Sequence, residues 1–333
     1  MTSTVVVGGF FGDEGKGKII SYLAVKDNPT VVVRGGAGPN AGHTIKDGDK
    51  VYKVRMLPSG FLNKNAKVMI GPGVVINPDV FLKEITDFDA SGRAFLDKHC
   101  GIIEQTHLNE DSKGELKEKI GSTGSGTGPA NASRAMRTLK LAKDIDSLSS
   151  YIDDVPQVVN SAIEKNENVL VEGTQGTFLS LWHGTYPFVT SKDVTASGIC
   201  ADIGLGPKNV DEVIVVFKSY VTRVGTGPLS NELNSETTSE KGWAEFGTVT
   251  GRPRRAAEFD FELAKRAIML NSATQIAITK LDVRFTECAG KTNYDELSSE
   301  AKSFIKNIED KLKVPVTLIG TGPAINDIID RRK

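Results

Sequence analysis

Seven short apolar runs, each meeting a glycine-rich or polar loop, constrain this chain more than any other feature of its 333 residues. Val5-Val6-Val7 runs into Gly8-Gly9, Val31-Val32-Val33 into Arg34-Gly35-Gly36, Val68-Met69-Ile70 into Gly71-Pro72-Gly73, and Val169-Leu170-Val171 into Glu172-Gly173. Further along come Val213-Ile214-Val215-Val216-Phe217, Ile276-Ala277-Ile278 before Thr279-Lys280-Leu281-Asp282, and Val316-Thr317-Leu318-Ile319 before Gly320-Thr321-Gly322-Pro323. β-Branched runs without polar alternation read as strands covered on both faces, as in a parallel sheet. Helical apolar spacing over residues 19–25, 79–88, 131–145, 152–165, 258–270 and 300–312 supplies the cover. The expected fold is α/β: a mostly parallel central sheet with flanking helices, organised as a single domain over residues 1–333. Residues 78–165 carry few strand signals and are expected to form a mainly helical excursion, with residues 109–115 as a solvated loop.

Composition narrows the function. The 41 Lys+Arg against 42 Asp+Glu give a net charge of −1, which argues against general nucleic-acid binding. Three cysteines in no metal-ligand or disulfide pattern suit a reducing compartment. The N-terminus lacks a signal-peptide pattern, and no stretch approaches the ~18 apolar residues of a membrane helix. A soluble cytoplasmic protein is expected.

In open α/β sheets, ligands bind where the strands end, and the polar signatures lie there. Gly12-Asp13-Glu14-Gly15-Lys16-Gly17-Lys18-Ile19 follows the first strand and opens a helix, the context of a phosphate loop. Its glycines let backbone N–H groups face phosphate oxygens, and Lys16 and Lys18 supply countercharge. Ile19 stands where the usual metal-holding hydroxyl would be, and Asp13 puts a carboxylate among phosphates, which points to metal binding or proton chemistry. Thr279-Lys280-Leu281-Asp282 resembles a guanine-reading element, although alone such a tetrapeptide is more often a surface Lys–Asp pair at a strand end. With the phosphate loop and Gly320-Thr321-Gly322-Pro323 it makes a GTP site. His43, in a Gly-rich loop after the second strand, is a candidate proton donor. Residues 121–129, a run of Gly, Ser and Thr before a helix, read as a second anion site or as a flexible loop. Gln175 offers an amide for a base edge. Arg252, Arg254 and Arg255 suit carboxylates or phosphates.

Taken in order along the chain, the phosphate loop, Asn40-Ala41-Gly42-His43-Thr44, Gly173-Thr174-Gln175-Gly176, His183-Gly184-Thr185-Tyr186-Pro187, Thr222-Arg223-Val224-Gly225, Thr250-Gly251-Arg252-Pro253-Arg254-Arg255 and Thr279-Lys280-Leu281-Asp282 closely resemble the adenylosuccinate synthetase family. The resemblance implies a GTP-dependent ligase of AMP biosynthesis that joins IMP and L-aspartate with Mg²⁺ through 6-phosphoryl-IMP. It implies Asp13 as base, His43 as acid, and Lys16 and Gln175 as further catalytic groups. Gly12, Glu14, Gly15, Lys16, Gly17, Lys18, Thr44, Lys280, Asp282, Gly320, Thr321 and Gly322 would hold GTP. Asp13, Asn40, Thr123, Arg137, Gln175, Thr190, Val224 and Arg252 would hold IMP, with Arg137 reaching across a homodimer. Thr250, Arg252 and Arg254 would hold aspartate, and Asp13 and the Gly42 carbonyl would hold the metal. Phe10-Phe11, Gly38-Pro39, Val249, Pro253 and Ala256-Ala257-Glu258 depart from the usual family pattern. Two further readings stand beside this one: a guanylate-using relative that makes the 2-amino analogue of the product, and a non-enzymatic GTP switch.

Overall fold

A computed structural model describes residues 3–113, 120–247 and 251–332. The apolar runs form one ten-stranded sheet. From edge to edge its strands are Ile328–Asp330, Val316–Gly320, Gln275–Thr279, Glu212–Lys218, Ser3–Gly8, Val169–Glu172, Val31–Arg34, Lys67–Ile70, Ala94–Asp97 and Ile152–Asp153. Every pairing is parallel except the last hairpin, where Ile328–Asp330 runs antiparallel to Val316–Gly320.

The absence of polar alternation has the expected cause. Val5, Val7, Val31, Val33, Val213 and Val215 face one apolar layer, and their neighbours Val6, Val32, Ile214 and Val216 face the other. Helices Val155–Glu164, Ala196–Ile203, Phe261–Asn271 and Ser299–Leu312 cover the first face, while Lys16–Asp27 and Pro78–Asp87 cover the second. Each buried Val or Ile contributes roughly 1.5–3 kcal/mol relative to exposure, so a polar residue on either side of these strands would be costly. Parallel register then brings Gly8, Arg34, Glu172, Lys218 and Thr279 to one edge of the sheet.

Two local expectations are corrected. Residues 78–165, expected to be mainly helical, also contribute the strands Ala94–Asp97 and Ile152–Asp153, which extend the sheet. The first reads Ala-Phe-Leu-Asp, without a β-branched run, and the second has only two residues. The helix expected over residues 131–145 spans Thr127–Ala135 and gives way to 3-10 turns. Arg137, at φ 63°, lies in the left-handed region, which a continuing helix cannot accommodate. Within residues 109–115, helix Gln105–Ser112 replaces the first part of the expected loop, and Gly114 and Glu115 lie outside the described residues. Asp111 is buried there because its carboxylate accepts the Ser122 hydroxyl at 2.5 Å and the Gly126 N–H at 2.8 Å. Among the described residues, no helix is long and apolar enough to cross a membrane.

The first loop leaves the sheet against core aromatics. A Cβ on Gly9 would stand 2.1 Å from the Phe217 ring, which is fully buried. Gly9→Ala is therefore expected to destabilise the fold by about 1–3 kcal/mol through overpacking. Urea unfolding should read this as a lower midpoint at unchanged slope.

Candidate active site

The chain leaves its first strand at Gly8 and enters helix Lys16–Asp27 through Gly15, whose φ of 80° needs glycine. Glu14 turns inward. Its carboxylate accepts the N–H groups of Phe10 at 2.9 Å and Gly12 at 2.8 Å and pairs with Lys16 Nζ at 3.0 Å, both side chains being almost wholly buried. The Thr279 hydroxyl donates to the Glu14 carbonyl at 2.6 Å, which ties the phosphate loop to the base-reading strand.

Lys18 does not stay with Lys16. Its ammonium crosses to the last loop and donates to the carbonyls of Gly322 at 2.6 Å and Asp327 at 2.7 Å. Burial pushes its pKa down to about 8, against the opposing pull of Asp327 and Asp282. Thr321 is buried, its hydroxyl donating to the Lys291 carbonyl at 2.6 Å, and a Cβ on Gly322 would collide with the Asp327 carboxylate. Lys280 is exposed, with its carbonyl held by the Ser219 hydroxyl at 2.7 Å. Burial raises the Asp282 pKa, and Asp282 Oδ1 is a buried acceptor with no donor among the described residues.

Beside this groove lies a cavity of about 620 Å³. Gly12, Asp13, Asn40, Gly42, His43 and Gln175 line it. Thr123, Thr190, Val224, Arg252 and Arg254 complete the predicted residues in its lining. Glu14, Gly15, Lys16, Gly17, Lys18, Lys280, Asp282 and Gly320, Thr321 and Gly322 belong to the phosphate loop and base-reading groove rather than to this lining. Thr44 is exposed on the hairpin made by His43–Asp47 and Lys50–Val54, and Arg137 is exposed outside the cavity. Thr250 lies outside the described residues.

Three hydrogen-bonded sets fix the cavity walls. The first holds His43. Its Nδ1 lies 2.7 Å from Ser59 Oγ and 3.0 Å from Glu172 Oε1, and Glu172 Oε2 accepts the Ser59 N–H at 2.6 Å. Burial lowers the His43 pKa, which keeps the ring neutral despite Glu172. Burial works to raise the Glu172 pKa, yet His43 and the fully buried Arg34 outweigh it and keep the carboxylate ionised. Arg34 in turn donates to the carbonyls of Gly38 at 3.3 Å and Ala41 at 3.4 Å, latching the Gly-rich loop.

In the second set, Gln175 sits at φ 52° with Oε1 accepting the Thr174 hydroxyl at 2.5 Å and Nε2 donating to Asn40 Oδ1 at 3.1 Å. Asn40 passes the contact on to Thr190 Oγ1 at 3.2 Å.

The third set is a ring of charges. Arg254 Nε lies 3.3 Å from Asp13 Oδ2, and Arg254 Nη1 is paired with Glu245 Oε2. Glu245 Oε2 also accepts from Lys218 Nζ at 2.9 Å, and Lys218 donates to Thr222 Oγ1 at 2.6 Å. Thr222 Oγ1 closes the ring, 3.4 Å from Asp13 Oδ2. Burial raises the Asp13 pKa, with Arg254 and Lys218 pulling the other way.

Sequence reasoning did not single out Arg34, Ser59, Glu172, Lys218 or Glu245. Three of them carried a signal, since Arg34, Glu172 and Lys218 are each the charged residue that ends an apolar run. Ser59 and Glu245 lie in irregular segments with no such mark.

A mostly parallel sheet whose first strand runs through a glycine-rich loop into a helix, with a polar cavity at the strands' carboxyl ends, is the α/β architecture in which ligands bind at that edge. The adenylosuccinate synthetase family model matches residues 5–145 and 138–288. The adenylosuccinate synthetase of Methanococcus maripaludis strain C6 is 56% identical over 338 aligned positions that cover both chains in full. That of Methanocaldococcus jannaschii is 55% identical, covering all of this chain and 97% of its own. Among solved structures, the fully ligated adenylosuccinate synthetase of Plasmodium falciparum superposes with a TM-score of 0.91 at 29% identity, with both chains fully covered. The succinoaminodeoxyadenylate synthetase of cyanophage S-2L, bound to dGMP and dATP, superposes at 0.83 and 26% identity, covering all of this chain and 96% of its own. This chain belongs to the adenylosuccinate synthetase family and is a GTP-dependent ligase.

The Lys18 strut has a pH signature. Its folded pKa is depressed from about 10.5 to about 8, so above pH 8 the unfolded chain binds more protons at this site than the folded one. Stability should therefore rise from pH 8 toward 10.5, by up to about 1.4 kcal/mol per pH unit. Lys18→Met should remove that rise, measured as the difference between wild-type and variant urea unfolding across this range.

Proposed function

We propose that the chain ligates IMP and L-aspartate to adenylosuccinate at the expense of GTP, by way of 6-phosphoryl-IMP, and releases GDP and phosphate in AMP biosynthesis. The observation that carries this reading is the convergence of an acidic phosphate loop, an oriented imidazole and an arginine loop on one cavity. A GTP switch has no need of that second chamber.

The chemistry follows from the three sets. The Gln175 amide, held by Thr174 and Asn40, meets O6 of the purine, and the Asp13 carboxylate takes the N1 proton. Burial raises the proton affinity of Asp13, which suits it to that task. O6 then attacks the γ-phosphorus of GTP. His43 has Nδ1 committed to Glu172 and Ser59, so Nε2 is the nitrogen that meets the transferring group. An approaching phosphate anion opposes the effect of burial and favours the protonated ring, which donates. Lys16 and the loop N–H groups stabilise the developing charge, so positioning and electrostatics carry most of the rate. In the second half, the aspartate amine attacks C6 and phosphate leaves. Arg252 and Arg254, with Thr250 beside them, hold the aspartate carboxylates.

Asn40, Thr123 and Thr190 anchor the IMP phosphate, and Val224 packs at the nucleoside. Arg137, exposed on the outer surface, is supplied to a second copy in a homodimer. Asp13 and the Gly42 carbonyl lie in the cavity lining and offer only oxygen donors, which fits a hard cation that completes its shell from phosphate and water. Asp13 and the Gly42 carbonyl would hold Mg²⁺, which would supply charge neutralisation to the phosphates. The buried, unpaired thiols Cys100, Cys200 and Cys288 support a cytoplasmic place of work.

The test is phosphate release from GTP and Mg²⁺ with product masses recorded, using IMP or GMP, each with and without aspartate. Adenylosuccinate is expected only from IMP with aspartate. A 2-amino product from GMP would change the acceptor, and GTP hydrolysis indifferent to both acceptors would overturn the ligase reading. Asp282→Asn should cut the preference for GTP over ATP at least about tenfold, because guanine's paired donors lose their acceptor. A retained preference would place base reading elsewhere.

A further inference from the structure

The arginine loop is a hairpin, and its base is closed twice at one residue pair. The Arg254 N–H donates to the Glu245 carbonyl at 2.9 Å, and the side chains of the same two residues are ion-paired. The Gly247 N–H meets the Arg252 carbonyl at 2.9 Å one step further up. Glu245 itself is held from behind. Its Oε1 accepts the Tyr220 hydroxyl at 2.5 Å and its Oε2 the Lys218 ammonium at 2.9 Å. Tyr220 and Lys218 are almost wholly buried, and Tyr220 stacks on Trp243 with ring centroids 4.3 Å apart. Glu245 is thus fixed by the protein core before it touches Arg254.

That anchoring decides which nitrogens Arg254 has to spare. Nη1 is paired with Glu245, and Nε lies 3.3 Å from Asp13 Oδ2, buried and without a hydrogen bond, which leaves Nη2 outside both of these closest contacts. A free arginine side chain has several rotatable bonds and would lose much of its freedom on meeting a small carboxylate. Here that loss is taken in the folded protein rather than at binding.

We propose that Glu245 is the positioning residue of aspartate recognition: anchored by Lys218 and Tyr220, it sets the Arg254 guanidinium so that Nη2 faces the cavity. The inference rests on the reading of Arg254 as an aspartate contact, and the test separates the two.

Glu245→Gln keeps the shape and removes the charge. It should raise KM for L-aspartate about tenfold, with KM for IMP and for GTP within about twofold of wild type. Glu245→Asp, which keeps the charge on a shorter stem, should recover part of the loss. Tyr220→Phe should shift KM for aspartate the same way by a smaller factor, and it serves as the reading if Glu245→Gln does not fold. The deciding measurement is the cycle with Arg254→Leu. In that background, Glu245→Gln should add less than about twofold to KM for aspartate, because the two act as one unit. An equal effect in both backgrounds, a parallel rise of all three KM values, or no change at all would each overturn the proposal. If Arg254→Leu itself leaves KM for aspartate unchanged, the reading of Arg254 falls instead.

Discussion

A carboxylate locked inside the sheet's carboxyl edge organises this molecule. Glu172 ends a central strand with no exposure to solvent, and an ionised group there is tolerated only because other elements bring their polar groups to it. Ser59 offers its N–H and hydroxyl, His43 its ring, and Arg34 its buried cation from the adjacent strand. Each comes from a different element, so satisfying one charge fixes the mutual position of three segments. Removing one partner of such a set typically costs about 3–5 kcal/mol. The orientation of His43 is thereby a by-product of stability.

The same logic repeats two strands away with a different purpose. Lys218, at the end of the strand next to the first one, is buried and must find anions. It finds Glu245, whose pKa burial would raise but which Lys218 and Arg254 bring down to about 2. Two carboxylates and two cations then close a ring through Asp13 with no net charge. A neutral ring can sit in a poorly solvated cavity while still presenting a basic oxygen and a guanidinium nitrogen on its inner side. Asp13 and Arg254, both in the cavity lining, are consequently parts of one electrostatic object.

The layered sheet was legible from the apolar runs because burial on both faces leaves a pattern that no other arrangement produces. The sequence also marked Asp13, His43, Gln175, Arg252 and Arg254 by their place in glycine-rich or charged loops, and the fold brings all five to one cavity. The strands Ala94–Asp97 and Ile152–Asp153 were not, the first lacking a β-branched run and the second having only two residues. Lys18 was read as a phosphate ligand by its spacing from Gly12, and its direction was decided by carbonyls more than 300 residues further along the chain. Glu245 was illegible for a related reason. Its partners come from three separate elements, and nothing in its own neighbourhood reports them.

That turn of Lys18 has a geometric consequence. One ammonium joins the start of the first helix to the loop after the final parallel strand, which runs close to Asp282. The glycine-rich turn that opens the helix and that far loop are therefore spaced by a fixed brace rather than left as two independent loops. The pair behaves as a calliper whose opening is set by the protein itself.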